Sequence, residues 1–365
     1  MLKSMLGHEE LVTTYDRCSD LAFRLPHGKI CNRPVIYSND WFWNMERRQA
    51  DAWTEKFSRG NFVRKQSEFR FCLGPDTPYP AQQGRYHLYA SHACPWAHRT
   101  ILARLLLGLE EAIDVSVVDW AMNADGSWPF LRHPDGTTSD LLYGESNLEA
   151  IYQRASSHWE HSGKIGTVPV LWDKQTESIV NNESREIIRM FDSFSKQGIG
   201  NGNSLCPSNL IDLIDEMITA NYESVNNGVY KAGFAQTQEA YNEAVTALFT
   251  RLDELNILLH NRDWLVGDGR GVLTEADICL FTTLVRFDLV YVVHFKCNLR
   301  RILDYPHLQR FVNNMLAIPG VTETCEWTHI KSHYFWSHQH LNPYRIIPAG
   351  PLFGPHNVPP QDQQH

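Results

Sequence analysis

A short apolar strand that runs directly into a cysteine at the start of a helix leaves this sequence few architectures. Tyr86-His87-Leu88-Tyr89-Ala90 has the aromatic and apolar density of a strand, and a loop follows it. After Ser91-His92-Ala93 comes Cys94-Pro95, and residues 97–109 then place Ile101, Leu102, Leu105 and Leu109 at helical spacing. Proline suits a first helical turn, where its missing N–H has no intrahelical partner to lose. Gly108 stands where a left-handed cap would end the helix.

The strands needed to complete a sheet follow in order. Ile113-Asp114-Val115-Ser116-Val117-Val118 is rich in β-branched residues and reads as a second strand, and residues 145–156 read as a helix. Val168-Pro169-Val170-Leu171-Trp172 and Ser178-Ile179-Val180 read as two strands joined by the turn Asp173-Lys174-Gln175, with a helix over residues 183–191. The order β-α-β-α-β-β-α predicts a thioredoxin-like α/β domain over residues 85–197.

A Gly/Asn/Ser-rich linker leads into an all-helical domain expected over residues 206–330. Its best helix, residues 236–259, carries Tyr241, Val245, Leu248, Leu252, Leu255 and Leu259 as one apolar stripe. Another opens at Thr274-Glu275-Ala276-Asp277, a capping box before Ile278, Leu280, Phe281 and Leu284. Residues 1–84 are irregular but rich in Trp and Phe, and are expected to wrap over the body as an extension. Residues 331–365 read as a Pro-, His- and Gly-rich tail, whose His333, His338 and His340 read as polar tail residues rather than metal ligands.

With 33 Lys and Arg against 42 Asp and Glu the net charge is −9, which argues against a general binder of nucleic acid or of anionic membranes. No apolar run reaches the roughly 18 residues of a membrane helix, and the N-terminus has no signal-peptide core, so a cytoplasmic location is expected. Eight scattered cysteines without a Cys-x-x-Cys pair point to free thiols rather than disulfides or zinc. No metal is expected.

Three places carry chemistry. Cys94, at a helix N-terminus, faces the positive end of the peptide dipoles, which favours thiolate over thiol, and His98 and Arg99 are expected to add positive charge. The opposing reading is a cysteine simply packed under a helix. Ala97 stands where a dithiol motif has its second sulfur, so Cys94 can be resolved only by an external thiol. Pro169, expected to be cis, would present the backbone of Val168 to a peptide-like ligand, unless it is only a trans proline opening a strand. Glu183 and Ser184 open a helix, where Ser184 can hold a carboxylate and Glu183 an ammonium group, or where the pair is an ordinary cap.

On these residues the chain resembles the xi-class glutathione transferases, the glutathionyl-hydroquinone reductases. The resemblance runs from about residue 62 to residue 350, through Ser91-His92-Ala93-Cys94-Pro95-Trp96-Ala97-His98-Arg99, Thr167-Val168-Pro169-Val170-Leu171-Trp172-Asp173 and Asn182-Glu183-Ser184-Arg185-Glu186. It continues through Asn226-Asn227-Gly228-Val229-Tyr230, Leu284-Val285-Arg286-Phe287-Asp288 and His333-Tyr334-Phe335. The resemblance implies a glutathione-transferase helical domain behind the thioredoxin-like one, glutathione as co-substrate, and a homodimer. It implies that Cys94 takes the glutathionyl sulfur from a glutathionyl-hydroquinone and that a second glutathione restores it. Trp128, Val168, Pro169, Glu183 and Ser184 would hold glutathione; Tyr230, Tyr334 and Tyr291 would line a wide aromatic pocket, the first two as proton donors. Glu149 stands where the family has an arginine for the glycyl carboxylate of glutathione, leaving Arg154 or Lys164 as substitutes. An omega-like thiol transferase or dehydroascorbate reductase, and a non-catalytic binding protein, are the alternative readings.

Overall fold

The structure, a computed structural model, describes residues 57–58, 60–64, 66–74, 77–133, 136–157, 159 and 165–351. The expected wrapping of residues 1–56 and the candidate cation Lys164 lie outside the described residues. Two short strands, β1 (Phe57–Ser58) and β2 (Asn61–Phe62), form an antiparallel hairpin ahead of the first domain.

The predicted strand is β3 (Tyr86–Ala90), buried along its whole length. It lies centrally because β4 (Asp114–Val117) pairs with it in parallel and β5 (Val170–Asp173) antiparallel; β6 (Ser178–Asn181) completes the order β4-β3-β5-β6. A central strand is covered on both faces, which is why β3 reads as continuously apolar rather than alternating. Its histidine, His87, meets Ser116 Oγ at 2.8 Å, and burial pushes its pKa down to about 4, so it stays neutral. Helices α1 (Pro95–Leu106) and α3 (Ser184–Lys196) pack on each other against the sheet, while α2 (Leu148–Ala155) packs beside β6. Gly108 takes φ +66° just beyond α1, so the cap lies where glycine is needed.

The second domain is helical: α4 (Ile211–Asn221), α5 (Gly228–Gly233), α6 (Gln238–Leu258), α7 (Glu275–Arg286), the single turn α8 (Val292–His294), α9 (Pro306–Leu316) and α10 (Trp327–Ser337). Both bonds of the capping box at Thr274 and Asp277 are formed. The stripe of α6 is buried at Val245, Leu248, Leu252 and Leu255. Single π-helical turns, Tyr222–Asn226 after α4 and Phe287–Tyr291 after α7, interrupt the regular winding beside the inter-domain seam.

Residues 60–64 and 66–71 form a strap between the two domains. At one end Gly60 O accepts from Gln236 N at 3.0 Å and Phe62 stands edge-on to Phe234. At the other, Phe69 exchanges hydrogen bonds with Asn182, Phe71 N donates to Val180 O at 3.0 Å, and Arg70 pairs with Glu186. The strap thus extends the sheet past β6 and passes over the mouth between the domains.

Candidate active site

Cys94 is the N-cap residue of α1, in extended backbone conformation and half-buried. Its Sγ lies 3.8 Å from Val168 O, across the Val168–Pro169 cis peptide, which is cis as expected. A thiol donates to a carbonyl oxygen; a thiolate is repelled by it. Burial pushes the Cys94 thiol up, and the N–H groups of Ala97 and Trp96 with the guanidiniums of Arg286 and Arg64 lower it only in part. The lowered pKa expected from the helix terminus therefore does not hold: desolvation outweighs the dipole. Alkylation of Cys94 by iodoacetamide is expected to rise with a midpoint above the ordinary thiol value of about 8.5. A midpoint below that value would contradict this reading.

His98 does not add charge as expected. It is fully buried between Thr324 Oγ1, at 2.8 Å, and Arg286, at 3.1 Å, and burial with the neighbouring guanidinium holds it neutral. Arg286 supplies the positive charge instead. Fully buried at the end of α7, it donates to Ala93 O at 3.0 Å, His92 O at 2.7 Å and Thr282 O at 2.6 Å. It thereby fixes the loop that delivers Cys94 to its helix.

Glu183 caps α3, with its carboxylate accepting from Ser67 Oγ at 3.1 Å and from Arg185 N at 3.4 Å. Ser184 follows, buried, its first-turn N–H without an intrahelical partner. Against it lies Arg99, only 3% exposed: two long contacts of 3.4 Å reach Ser184 Oγ and Cys279 O, and its Nε has no partner. Arg99 also lies over the Trp96 ring at 4.4 Å. Such a buried guanidinium is poorly compensated by the protein alone. A cleft of about 610 Å³, lined among others by Gln66, Arg99, Glu183 and Tyr222, opens onto this group.

Tyr230, Tyr291 and Tyr334 come together although 104 residues separate the first from the last. Tyr334 Oη is 2.7 Å from Tyr230 Oη and 3.1 Å from Tyr291 Oη, and burial raises the pKa of all three, so they remain protonated. The three rings pack against one another and against Phe295 and are buried, so the hydroxyls meet in one aromatic cluster. Tyr334 and His333 lie on α10 rather than in an irregular tail. His333 is buried: its Nδ1 is 2.8 Å from Trp120 O, and its ring stacks on Trp128 at 4.8 Å, fixing that indole in place.

Glu149 does not face the site as a bare carboxylate. It accepts from Trp159 Nε1 at 2.8 Å and from Gly166 N, pinning the loop that leads to Val168, and burial raises its pKa. Arg154 is engaged with Glu145 at 2.9 Å and with the Tyr143 ring. Among the described residues no group of three or more His, Cys, Asp or Glu side chains could hold a metal ion, and no helix is long and apolar enough to cross a membrane.

The chain that carries this arrangement is similar to known proteins. The glutathione S-transferase N-terminal domain model matches residues 93–193 and the corresponding C-terminal domain model residues 238–314. Glutathionyl-hydroquinone reductase PcpF of Sphingobium chlorophenolicum is 48% identical over 303 residues, covering 82% of this chain and 93% of that protein. Glutathione S-transferase omega-like 2 of Schizosaccharomyces pombe is 44% identical over 317 residues, 84% of this chain and 98% of its own. The glutathione-bound structure of YqjG, a glutathione transferase homologue from Escherichia coli, superposes with a TM-score of 0.73 at 46% identity, over 79% of this chain and 94% of that one. The fold is that of a glutathione transferase. Within that superfamily the chain belongs to the xi class.

Proposed function

We propose that the protein is a glutathionyl-hydroquinone reductase, with glutathione as co-substrate and Cys94 as nucleophile. The observation that carries the reading is Cys94 Sγ held against the Val168 carbonyl, beside Tyr230 and its tyrosine partners, in a chain 48% identical to PcpF. A cysteinyl N–H of glutathione bonded to Val168 O would take away the acceptor that now favours the Cys94 thiol. Binding itself would thus shift Cys94 toward the thiolate, drawn by the Ala97 and Trp96 N–H groups.

The thiolate attacks the glutathionyl sulfur. The aryl carbon–sulfur bond breaks, a Cys94–glutathione disulfide forms, and the ring carbon gains a proton that Tyr334 or Tyr230 can relay. Their hydrogen-bonded hydroxyls suit proton relay because each remains protonated at neutral pH. A second glutathione attacks the disulfide, releasing glutathione disulfide and restoring Cys94. Trp128 lies along the tripeptide in this reading, Glu183 takes the ammonium group, and Ser184 with Arg99 takes the α-carboxylate. Tyr291 completes the wall behind Tyr334. The chain is read as acting as a homodimer in the cytoplasm, which sedimentation and fractionation would test.

Replacing Arg99 by Met is expected to raise KM for glutathione roughly 10- to 100-fold, the size of one charge-assisted bond, with kcat changing far less. Unchanged KM would remove Arg99 from the binding site. The function itself is tested by comparing glutathionyl-menadiol with hydroxyethyl disulfide. Faster turnover of the menadiol adduct supports the reductase, whereas faster turnover of the disulfide or of dehydroascorbate favours an omega-like transferase.

A further inference from the structure

Arg64 lies on the strap, ahead of both matched domain models, and the strap places it beside Trp96 and Tyr230. Its guanidinium carbon is 4.8 Å from the Trp96 ring centroid, 4.8 Å from that of Tyr230 and 5.4 Å from that of Phe62. Nε donates to Asn227 Oδ1 at 3.0 Å; the two terminal nitrogens have no acceptor, and the side chain no ion pair, among the described residues. The strap is tied at both ends, so this cation is held in place rather than swinging in solvent. A three-ring cradle holds the guanidinium by its faces and leaves its donating edge free. The charge acts on Cys94 and on Tyr230 alike. An arginine held this way is suited to receiving an anionic oxygen from something bound between those two residues.

The reaction proposed above produces such an oxygen. When the sulfur-bearing ring carbon takes its proton, a hydroxyl ortho or para to it gives up its own proton and becomes a carbonyl. The Cys94 thiolate then forms the sulfur–sulfur bond, and the electron pair of the broken carbon–sulfur bond returns to the ring. Aromaticity is restored, the carbonyl oxygen becomes a phenolate, and a proton completes the hydroquinone. The carbon is reduced by two electrons, and the two sulfurs are oxidised to a disulfide. The negative charge accumulates on that one oxygen.

Resting on the reductase reading of the site, we propose that Arg64 is a catalytic residue: its free edge receives the phenolate oxygen as the carbon–sulfur bond breaks. It makes the enzyme selective for adducts whose ring carries a hydroxyl ortho or para to sulfur. The strap is then part of the active site rather than a covering.

The test compares the parent with Arg64→Gln and Arg64→Lys on two substrates: a glutathionyl-hydroquinone, and the mixed disulfide of glutathione with mercaptoethanol, which has no phenol to expel. Arg64→Gln is expected to lose about 10²- to 10³-fold in kcat on the hydroquinone adduct, the cost of one donor to a developing oxyanion. Its loss on the disulfide is expected to be at least tenfold smaller, and Arg64→Lys, which keeps the charge without the fork, should recover part of the difference. Equal losses on both substrates, or no loss on the adduct, would overturn the proposal. A second readout needs no turnover: bound 4-nitrophenol should ionise at lower pH in the parent than in Arg64→Gln. If the parent fails to cleave hydroquinone adducts but that pH difference is present, the reductase reading falls and the phenolate site stands. An identical ionisation in both proteins, or no binding to the parent, overturns the site.

Discussion

Replacing Cys94 by Ser is expected to lower the release of glutathione from a glutathionyl-hydroquinone by about 10⁴-fold or more, with little effect on folding. The hydroxyl occupies the place of the thiol, so the N-cap geometry of α1 and its contact with Val168 O are retained. What is lost is the thiolate, and with it the covalent intermediate, because a serine hydroxyl stays protonated at neutral pH and does not attack the glutathionyl sulfur. None of the other described cysteines replaces it. Cys206, Cys279, Cys297 and Cys325 are buried, and burial raises their thiols far above neutrality. Cys72 is exposed and lies past the end of the strap, away from the cysteine-bearing helix α1. A Cys94→Ser protein that turns over within tenfold of the parent would refute the nucleophile assignment.

The largest effect on stability is expected at Arg286. Its side chain is fully buried and donates to three backbone carbonyls, two of them in the loop ahead of Cys94. Replacing it by Met keeps most of the volume but takes this donor from the carbonyls of His92 and Ala93 and from His98 Nδ1, whereas Thr282 O keeps its helical N–H. Each orphaned acceptor costs about 1–3 kcal/mol, so a loss of about 3–5 kcal/mol in urea unfolding is expected. A loss below about 1 kcal/mol would mean that the loop finds other partners. Arg286 acts on the chemistry only through Cys94, as a positioning residue. The alkylation midpoint of Cys94 should therefore move upward in Arg286→Met and back toward the parent in Arg286→Lys, a change that lost packing alone would not produce.

The parts of this molecule that were legible in the sequence are those whose signal is local. The strand of Tyr86–Ala90, the proline after Cys94 and the capping box at Thr274 each declare themselves within a few residues, and each formed as read. The cysteine, the cis-proline and Glu183-Ser184 were legible for the same reason, since each sits at the end of one element. What sequence missed was set by packing over long separations. Arg64 and Tyr230, or Arg286 and the carbonyls of His92 and Ala93, meet across more than a hundred residues without a periodic pattern to announce it. Arg286 was visible as a match within a motif, but its role was not.

Burial is the other quantity that the sequence conceals. Helix-terminus electrostatics suggested an acidic Cys94 and a charged His98, and both expectations treated the residues as if water reached them. In the structure desolvation dominates at both positions. Glu149 teaches the same lesson in reverse: read against glutathione it was a carboxylate in the wrong place, whereas it holds the loop before Val168 through Trp159 and Gly166.

The account turns on a covalent Cys94–glutathione intermediate, and a single-turnover trap tests it most directly. The protein is mixed with one equivalent of glutathionyl-menadiol, without free glutathione, quenched in acid and digested for mass spectrometry. The account predicts release of menadiol in step with the gain of one glutathionyl group on the peptide containing Cys94, removable by added glutathione. Release of menadiol with Cys94 unmodified, or a glutathionyl group on another cysteine, would contradict it.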